Sequence, residues 1–483
     1  MPASLLSRGP IAGDVLVDVP GRARGASGQL LIFYGRMLGS LLGGYLLLDK
    51  AFAYIHVPGT PLYVGELTLA IGGLGVLAAT GYLRIPVRDE PILALLAAFF
   101  LWGFIRFVPG FHTYGIVAVR DFALCYYCLF AFFTVAALAR APDLLDRWIT
   151  QLSRLTPWLL IWLPFGLILA PKLHAPSVPF SGGVSLLTHE AGNAGIAALL
   201  GLGSIWLFPG TRSGRSRALL SIAALITIAL AATQNRAGLL GVTAGAVIGL
   251  AFLPARDRLR LIVRAVAVIT IGLALAVQLS LKIPSTNQAQ GREFSASQLV
   301  DNVLSIKGGA GTNNLGGTVG ARDLLWTLIF HQQVADGKLA DGFGFGLNLP
   351  YLVNDTQVTS GADPLRSPHN SSDDVLSRMG LIGISLWIAL LLGWYWRLVM
   401  GCRRLARRGL HARRRVGVLC LMVVTAILVT SFFSPQLEGA QIAALMWTAF
   451  GIGVAVTSFR GWFGRQTPAL VPAEFPRATP AEP

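Results

Sequence analysis

The chain has 483 residues, 54% of them hydrophobic and 13% charged, with a formal net charge of +16 and a mean hydropathy of +0.63. Soluble domains carry about 25% charged residues, so one large soluble domain is excluded. Apolar runs near the roughly 20 residues that cross a bilayer recur along the chain, predicting an all-α polytopic membrane protein.

Residues 1–29 are mixed in character and lack a short apolar core with a small-residue cleavage site. They are expected to form a cytoplasmic segment rather than a cleaved leader. Residues 30–281 hold nine predicted transmembrane helices: Leu30–Tyr54, Leu62–Leu83, Pro91–Val108, Tyr114–Ala137, Trp148–Ala170, Glu190–Phe208, Ala218–Thr233, Arg236–Leu253 and Leu261–Leu281. Two of these spans meet at Gln234–Asn235 with almost no loop. Residues 282–375 are too polar to span and form one large loop. Two short helices are expected in it, Ser295–Ser305 and Ala321–Val334, the second amphipathic enough to lie on the membrane surface. Gly-rich stretches, GGAGTNNLGG and GFGFGLN, flank that second helix as loops. The latter is not a phosphate-cradling P-loop, because the Lys-Ser/Thr ending is absent. Residues 376–457 carry three more spans, Leu376–Met400, Val416–Phe433 and Ala440–Val456. Residues 458–483 are a Pro- and Ala-rich tail, expected to be cytoplasmic and disordered. The total is about twelve spans, with both termini on one side.

That side also receives the arginine clusters at Arg212–Arg217, Arg256–Arg264 and Arg397–Arg415. Cytoplasmic loops are enriched in Lys and Arg, so the basic balance reports topology, with some attraction to anionic lipid. Nucleic acid is not needed to explain it. Cys125 and Cys128 form a C-x-x-C inside an apolar span and read as small buried residues.

Ionisable residues within spans are expensive and mark functional candidates. Asp49, Lys50, Glu66, Arg106, Arg120 with Asp121, Glu190 with Asn193, Arg236, and Asp373 with Asp374 all fall toward the outer leaflet, beneath the large loop. A transporter would place polar groups at the midplane, between repeats; no repeat is visible here. An outer-leaflet ring of arginines and carboxylates suits an amphiphile with an anionic head, because the guanidinium fork binds phosphate bidentately.

Three motifs add to this: TQNRAGLLG at Thr233–Gly241, ARDLLW at Ala321–Trp326 followed by GFGFG, and PHN at Pro368–Asn370, with GLIG beginning at Gly380, eleven residues after His369. In order and spacing the chain resembles the O-antigen ligase/polymerase family of bacterial surface-polysaccharide enzymes, over roughly residues 36–450. VRDFALCYY at Val119–Tyr127 also looks like that family's early spans. The chain departs from the family where Ser371, Ser372, Asp373 and Asp374 follow His-Asn, since relatives commonly have an aromatic residue and Leu there.

The resemblance implies a GT-C-like membrane glycosyltransferase that uses no metal or cofactor. The donor would be a glycan on undecaprenyl diphosphate, and the acceptor a sugar hydroxyl on lipid A–core or another glycan. His369 would be the catalytic base, since an imidazole titrates near neutral pH. Arg236 and Arg322 would hold the diphosphate leaving group. Asn370, Asp373, Arg120, Glu190 and Trp326 would support them, Asp373 by orienting the imidazole if the stretch is helical. Attack without a second nucleophile predicts inversion. Ligase and polymerase remain open, with a lean toward ligase; a lipid-linked saccharide transporter is the alternative of another class. Localisation in a bacterial inner membrane, with the site facing the periplasm, follows from the resemblance.

Overall fold

The computed structural model describes residues 26–60, 62–78, 90–170, 173, 175–208, 212–278, 283–284, 293–295, 298–299, 302, 315–352 and 367–458. Most of both terminal segments lies outside the described residues, as do much of the first expected loop helix and part of GGAGTNNLGG, although residues 26–29 already belong to the first helix. Among the described residues the regular structure is helical apart from a short antiparallel ladder, Ile283–Pro284 with Glu293–Phe294, and isolated bridges.

In chain order the longer helices among the described residues are α1 (Ala26–Leu48), α2 (Val64–Ala78), α3 (Pro91–Tyr114), α4 (Ile116–Tyr126), α5 (Leu129–Arg140), α6 (Asp143–Leu169), α7 (Ala191–Leu207), α8 (Gly214–Gln234), α9 (Arg236–Ala251), α10 (Ala255–Gln278), α11 (Leu315–Ala335), α12 (Ser371–Arg407), α13 (His411–Ser431) and α14 (Ala440–Val456). Each predicted span window holds a helix. The window at Tyr114–Ala137 holds two, α4 and α5, bent by 49°. Among the described residues, length and hydropathy mark α1, α3, α6, α8, α12 and α13 as able to cross a membrane, seven in all if α4 and α5 make one span. The protein is a multi-pass helical membrane protein.

Burial sorts the helices. α13 is the most enclosed of the long ones, and α14 buries most of its length, from Ile442 to Val456. At the periphery Leu101, Phe104 and Ile105 on α3, Trp158 and Phe165 on α6, and Leu392 and Trp396 on α12 are exposed. Apolar surface of that extent is stable only against lipid or a partner. α9 approaches α13 through a small-residue stripe. A Cβ on Gly241 would sit 2.4 Å from the Ala426 carbonyl oxygen, and one on Gly245 2.6 Å from that of Met422. Close backbone approach of this kind is how helices gain packing energy where lipid supplies no hydrophobic drive.

The weak junction at Gln234–Asn235 resolves into a turn of one residue. Asn235 is extended (φ −139°, ψ 103°) and caps α9, its Oδ1 accepting from Gly238 N at 2.9 Å. From the large loop, Asn302 donates through Nδ2 to the carbonyls of Ala232 and Thr233, at 2.8 and 2.7 Å. It thereby satisfies the orphan end of α8.

The second loop helix, α11, starts earlier than predicted. Leu325 and Ile329 do not lie on a membrane surface; they are buried against Leu349 and Phe343. The inward stripe wins because those residues lie within the i, i+4 period and meet an apolar wall made by the following loop.

Candidate functional site

The stretch SPHNSSDDVL lies where α11, the start of α12 and the turn after α13 meet. α12 starts at Ser371, with Asn370 as its N-cap: Oδ1 accepts from Ser372 N at 2.9 Å, and Nδ2 donates to Asp373 Oδ2 at 2.7 Å. His369 therefore precedes the helix, in the left-handed region at φ 55°. The expected pairing of His369 with Asp373 across one helical turn is overturned. The turn needs both residues inside the helix, and Asn370 takes the carboxylate instead.

Trp326 on α11 donates its indole N–H to the Pro368 carbonyl at 2.6 Å, which ties the loop helix to the residue before His369. Its ring meets Phe432 edge-on at 6.2 Å. One turn earlier on α11, Arg322 donates to the Phe433 carbonyl at 3.0 Å. Burial, and then the neighbouring Arg236 guanidinium, lower the Arg322 pKa. Burial, and then Arg322, lower that of His369 from 6.5 to about 4. Arg236, Arg322 and His369, remote in sequence, thus share one electrostatic neighbourhood. Chiefly through burial, the imidazole there stays neutral at pH 7. It can receive a proton beside two guanidiniums that favour an anion.

Two clefts open here. One, of about 270 Å³, is lined by Trp326, Phe330, Gln333, Pro368, Asp373 and Ser377. The other, of about 390 Å³, starts at Ser371, Ser372, Ser431 and Phe433 and runs between α12 and α13 past Trp387, Leu391 and Tyr395. It is polar at its head and apolar below.

The remaining predicted residues are not brought to His369. Glu190 pairs with Lys50 at 2.6 Å, while its backbone N–H donates to Asp49 at 2.7 Å. Asn193 also donates to Asp49, at 2.8 Å. This cluster holds the N-terminus of α7 against α1. Arg120 is exposed. It does not pair with Asp121, whose carboxylate points to the buried guanidinium of Arg378 instead.

Arg378 was not among the sequence candidates, although its spacing from Asp374 was readable as an i, i+4 pair. It is 1% exposed. Its Nη1 lies 3.1 Å from Asp121 Oδ2 and its Nε 3.6 Å from Asp374 Oδ1. Asp121 Oδ2 also accepts from Gly346 N at 3.1 Å. Asp374, itself buried, lies against the Glu438 carboxyl after α13.

Around this ion network, GFGFG does more than flank a helix. α12 is broken at Gly380 (φ 66°, ψ −165°), one turn beyond Leu376. Such a break orphans the last carbonyls of its first part and the first N–H groups of its second. All four carbonyls are recovered. Gln333 Nε2 donates to Leu376 O at 2.9 Å, Phe343 N to Ser377 O at 2.7 Å, Gly344 N to Arg378 O at 3.0 Å, and Trp102 Nε1 to Met379 O at 2.8 Å. Beyond the break, Leu381 N and Ile382 N donate to Leu339 O and Ala340 O at 2.9 and 3.2 Å. Arg106 clamps the inserted loop through Asp341 (2.8 Å) and the Gly342 carbonyl (2.9 Å). Phe345 is buried under Arg378 and edge-on to Phe122. GFGFG and GLIG are therefore two halves of one joint, which fixes the first turns of α12 and with them Asn370 and His369.

Among the described residues no group of three or more His, Cys, Asp or Glu converges as metal ligands. No protein-family model and no curated protein matches the chain.

Proposed function

We propose that the chain is a membrane glycosyltransferase of the O-antigen ligase/polymerase type. It would move a glycan from undecaprenyl diphosphate to a sugar hydroxyl. The observation that carries this reading is the shared neighbourhood of His369, Arg322 and Arg236, whose motifs also carry the resemblance. In this reading neutral His369 takes the proton of the acceptor hydroxyl as its oxygen attacks the anomeric carbon. The bond from that carbon to the diphosphate oxygen breaks on the opposite side, and the configuration inverts. Arg322 and Arg236 stabilise the charge that gathers on the leaving diphosphate. Asn370, as helix cap, and Trp326, through Pro368, hold the backbone on either side of His369 as positioning residues. The prenyl chain lies in the cleft between α12 and α13, and the acceptor enters beside Trp326 and Asp373. Twelve spans, a bacterial inner membrane, cytoplasmic termini and a site facing the periplasm belong to the same proposal.

The test is a deletion of the gene, complemented with His369→Ala, followed by examination of surface glycans and lipid-linked intermediates. Full-length polymer stranded on the carrier identifies a ligase; transfer of single repeat units identifies a polymerase. Wild-type glycans in the His369→Ala strain would refute the catalytic assignment. A periplasmic reporter fused after Asn370 must be active, and one fused after Arg408 must be silent.

A further inference from the structure

Far from His369 along the chain, α7, α8, α9 and α10 enclose a groove of about 520 Å³. Its walls are apolar, with Leu225, Val247, Leu250 and Ile262 among the lining residues. Val247 is 57% exposed and Ile262 39%, so the groove opens sideways, toward the lipid. One cation lines it. Arg264 sits more than two turns inside α10, with its guanidinium carbon 5.8 Å from the centre of the Trp206 ring. Trp206, in the last turn of α7, donates to Ser221 Oγ at 3.2 Å. One turn before Ser221, Arg217 keeps its Nε shielded from solvent and without an acceptor among the described residues. Among those residues no carboxylate pairs with Arg264 or Arg217. Arg215 and Arg260 extend the same basic end of α8 and α10.

We propose that this groove binds an anionic glycerophospholipid of the leaflet on the arginine-rich face, with an acyl chain between α8, α9 and α10 and the phosphate at Arg264 and Arg217. An arginine stacked on an indole keeps its N–H edges free for phosphate oxygens. A buried guanidinium nitrogen without an acceptor needs one, and a phosphate supplies it. The tryptophan marks the depth at which headgroups lie, and the walls below it suit an acyl chain rather than water. Charge complementarity selects an anionic over a zwitterionic lipid. The proposal does not depend on any activity at His369.

Native mass spectrometry of the purified full-length protein tests it, titrating dioleoyl phosphatidylglycerol against dioleoyl phosphatidylcholine. The wild type should retain phosphatidylglycerol preferentially. Arg264→Gln should weaken that preference about fivefold, the worth of one cation near a lipid surface. Arg408→Gln, which removes a cation from another basic cluster, should leave it unchanged. Val247→Trp, which fills the groove from its exposed side, should displace the lipid. Equal retention of the two lipids overturns the proposal, as does an equal loss in Arg264→Gln and Arg408→Gln, which would report general surface charge. A mass-resolved dimer abolished by Val247→Trp would assign the groove to a second copy and also overturn it.

Discussion

Gly380→Ala probes the joint that aims His369. Gly380 holds φ 66° and ψ −165°, and a Cβ there would lie 2.3 Å from the Ala340 carbonyl oxygen and 2.4 Å from Asp341 N. Both are backbone atoms of the inserted loop, so no side-chain rotation relieves the clash. The loop must withdraw, and four backbone hydrogen bonds across the break go with it: Phe343 to Ser377, Gly344 to Arg378, Leu381 to Leu339 and Ile382 to Ala340. At about 1 kcal/mol each, their loss costs about 4 kcal/mol. If the loop stays, the residue instead carries about 1–3 kcal/mol of backbone strain in addition to the overlap. Gly393→Ala, lower on the same helix, is the control. Its Cβ would meet only side-chain tips, Ile92 Cδ1 at 3.2 Å and Leu95 Cδ1 at 3.8 Å, and alanine gains up to about 1 kcal/mol of helix propensity. Thermal unfolding in nanodiscs, followed by tryptophan emission, compares the two. Trp102, which donates to Met379 O, reports the joint itself. Gly380→Ala should unfold about 4 °C below wild type, and Gly393→Ala within about 1 °C of it. Equal stability of the two variants would mean that α12 runs through Gly380 unbroken, and would refute the joint.

Other outcomes follow from the same network and from the site. Asp121→Asn removes a carboxylate from a buried guanidinium and should cost about 3–5 kcal/mol, read as lost yield and thermal stability; Arg378→Lys should not restore function, because an ammonium lacks the fork that spans Asp121 and Asp374. His369, held near pKa 4, should react with diethyl pyrocarbonate as a neutral imidazole down to about pH 4. Arg322→Gln should raise that midpoint only in part, because burial, the larger cause, remains; an unmoved midpoint would separate the two residues. Between pH 6.5 and about 4 the unfolded chain binds a proton at His369 that the folded chain does not, so this residue's contribution to stability should fall as pH is lowered through that window. Trp326→Phe leaves the Pro368 carbonyl without its donor and should cost about 1–3 kcal/mol. If Trp326 positions His369, transfer should fall further than stability does.

The sequence by itself determined the class of protein and the order of its helices. Apolar runs between breakers are local, and a bilayer demands internally satisfied backbone, so each window became a helix. The choice of His369, Arg236 and Arg322 came from the resemblance of their motifs to a family, not from local periodicity. Partner choice was decided only in three dimensions. Asp121 and Arg120 are adjacent in sequence, yet burial of Arg378 beside Asp121 outweighs adjacency. Asp373 stands four residues after His369, but an Asn370 cap ends the helix between them. GFGFG read as a loop and GLIG as a motif; that one fills the break in the other depends on orphaned carbonyls, and those exist only once α12 is interrupted. Local periodicity is written along the chain, whereas satisfying a buried donor or charge is settled by whatever segment folding brings within about 3 Å.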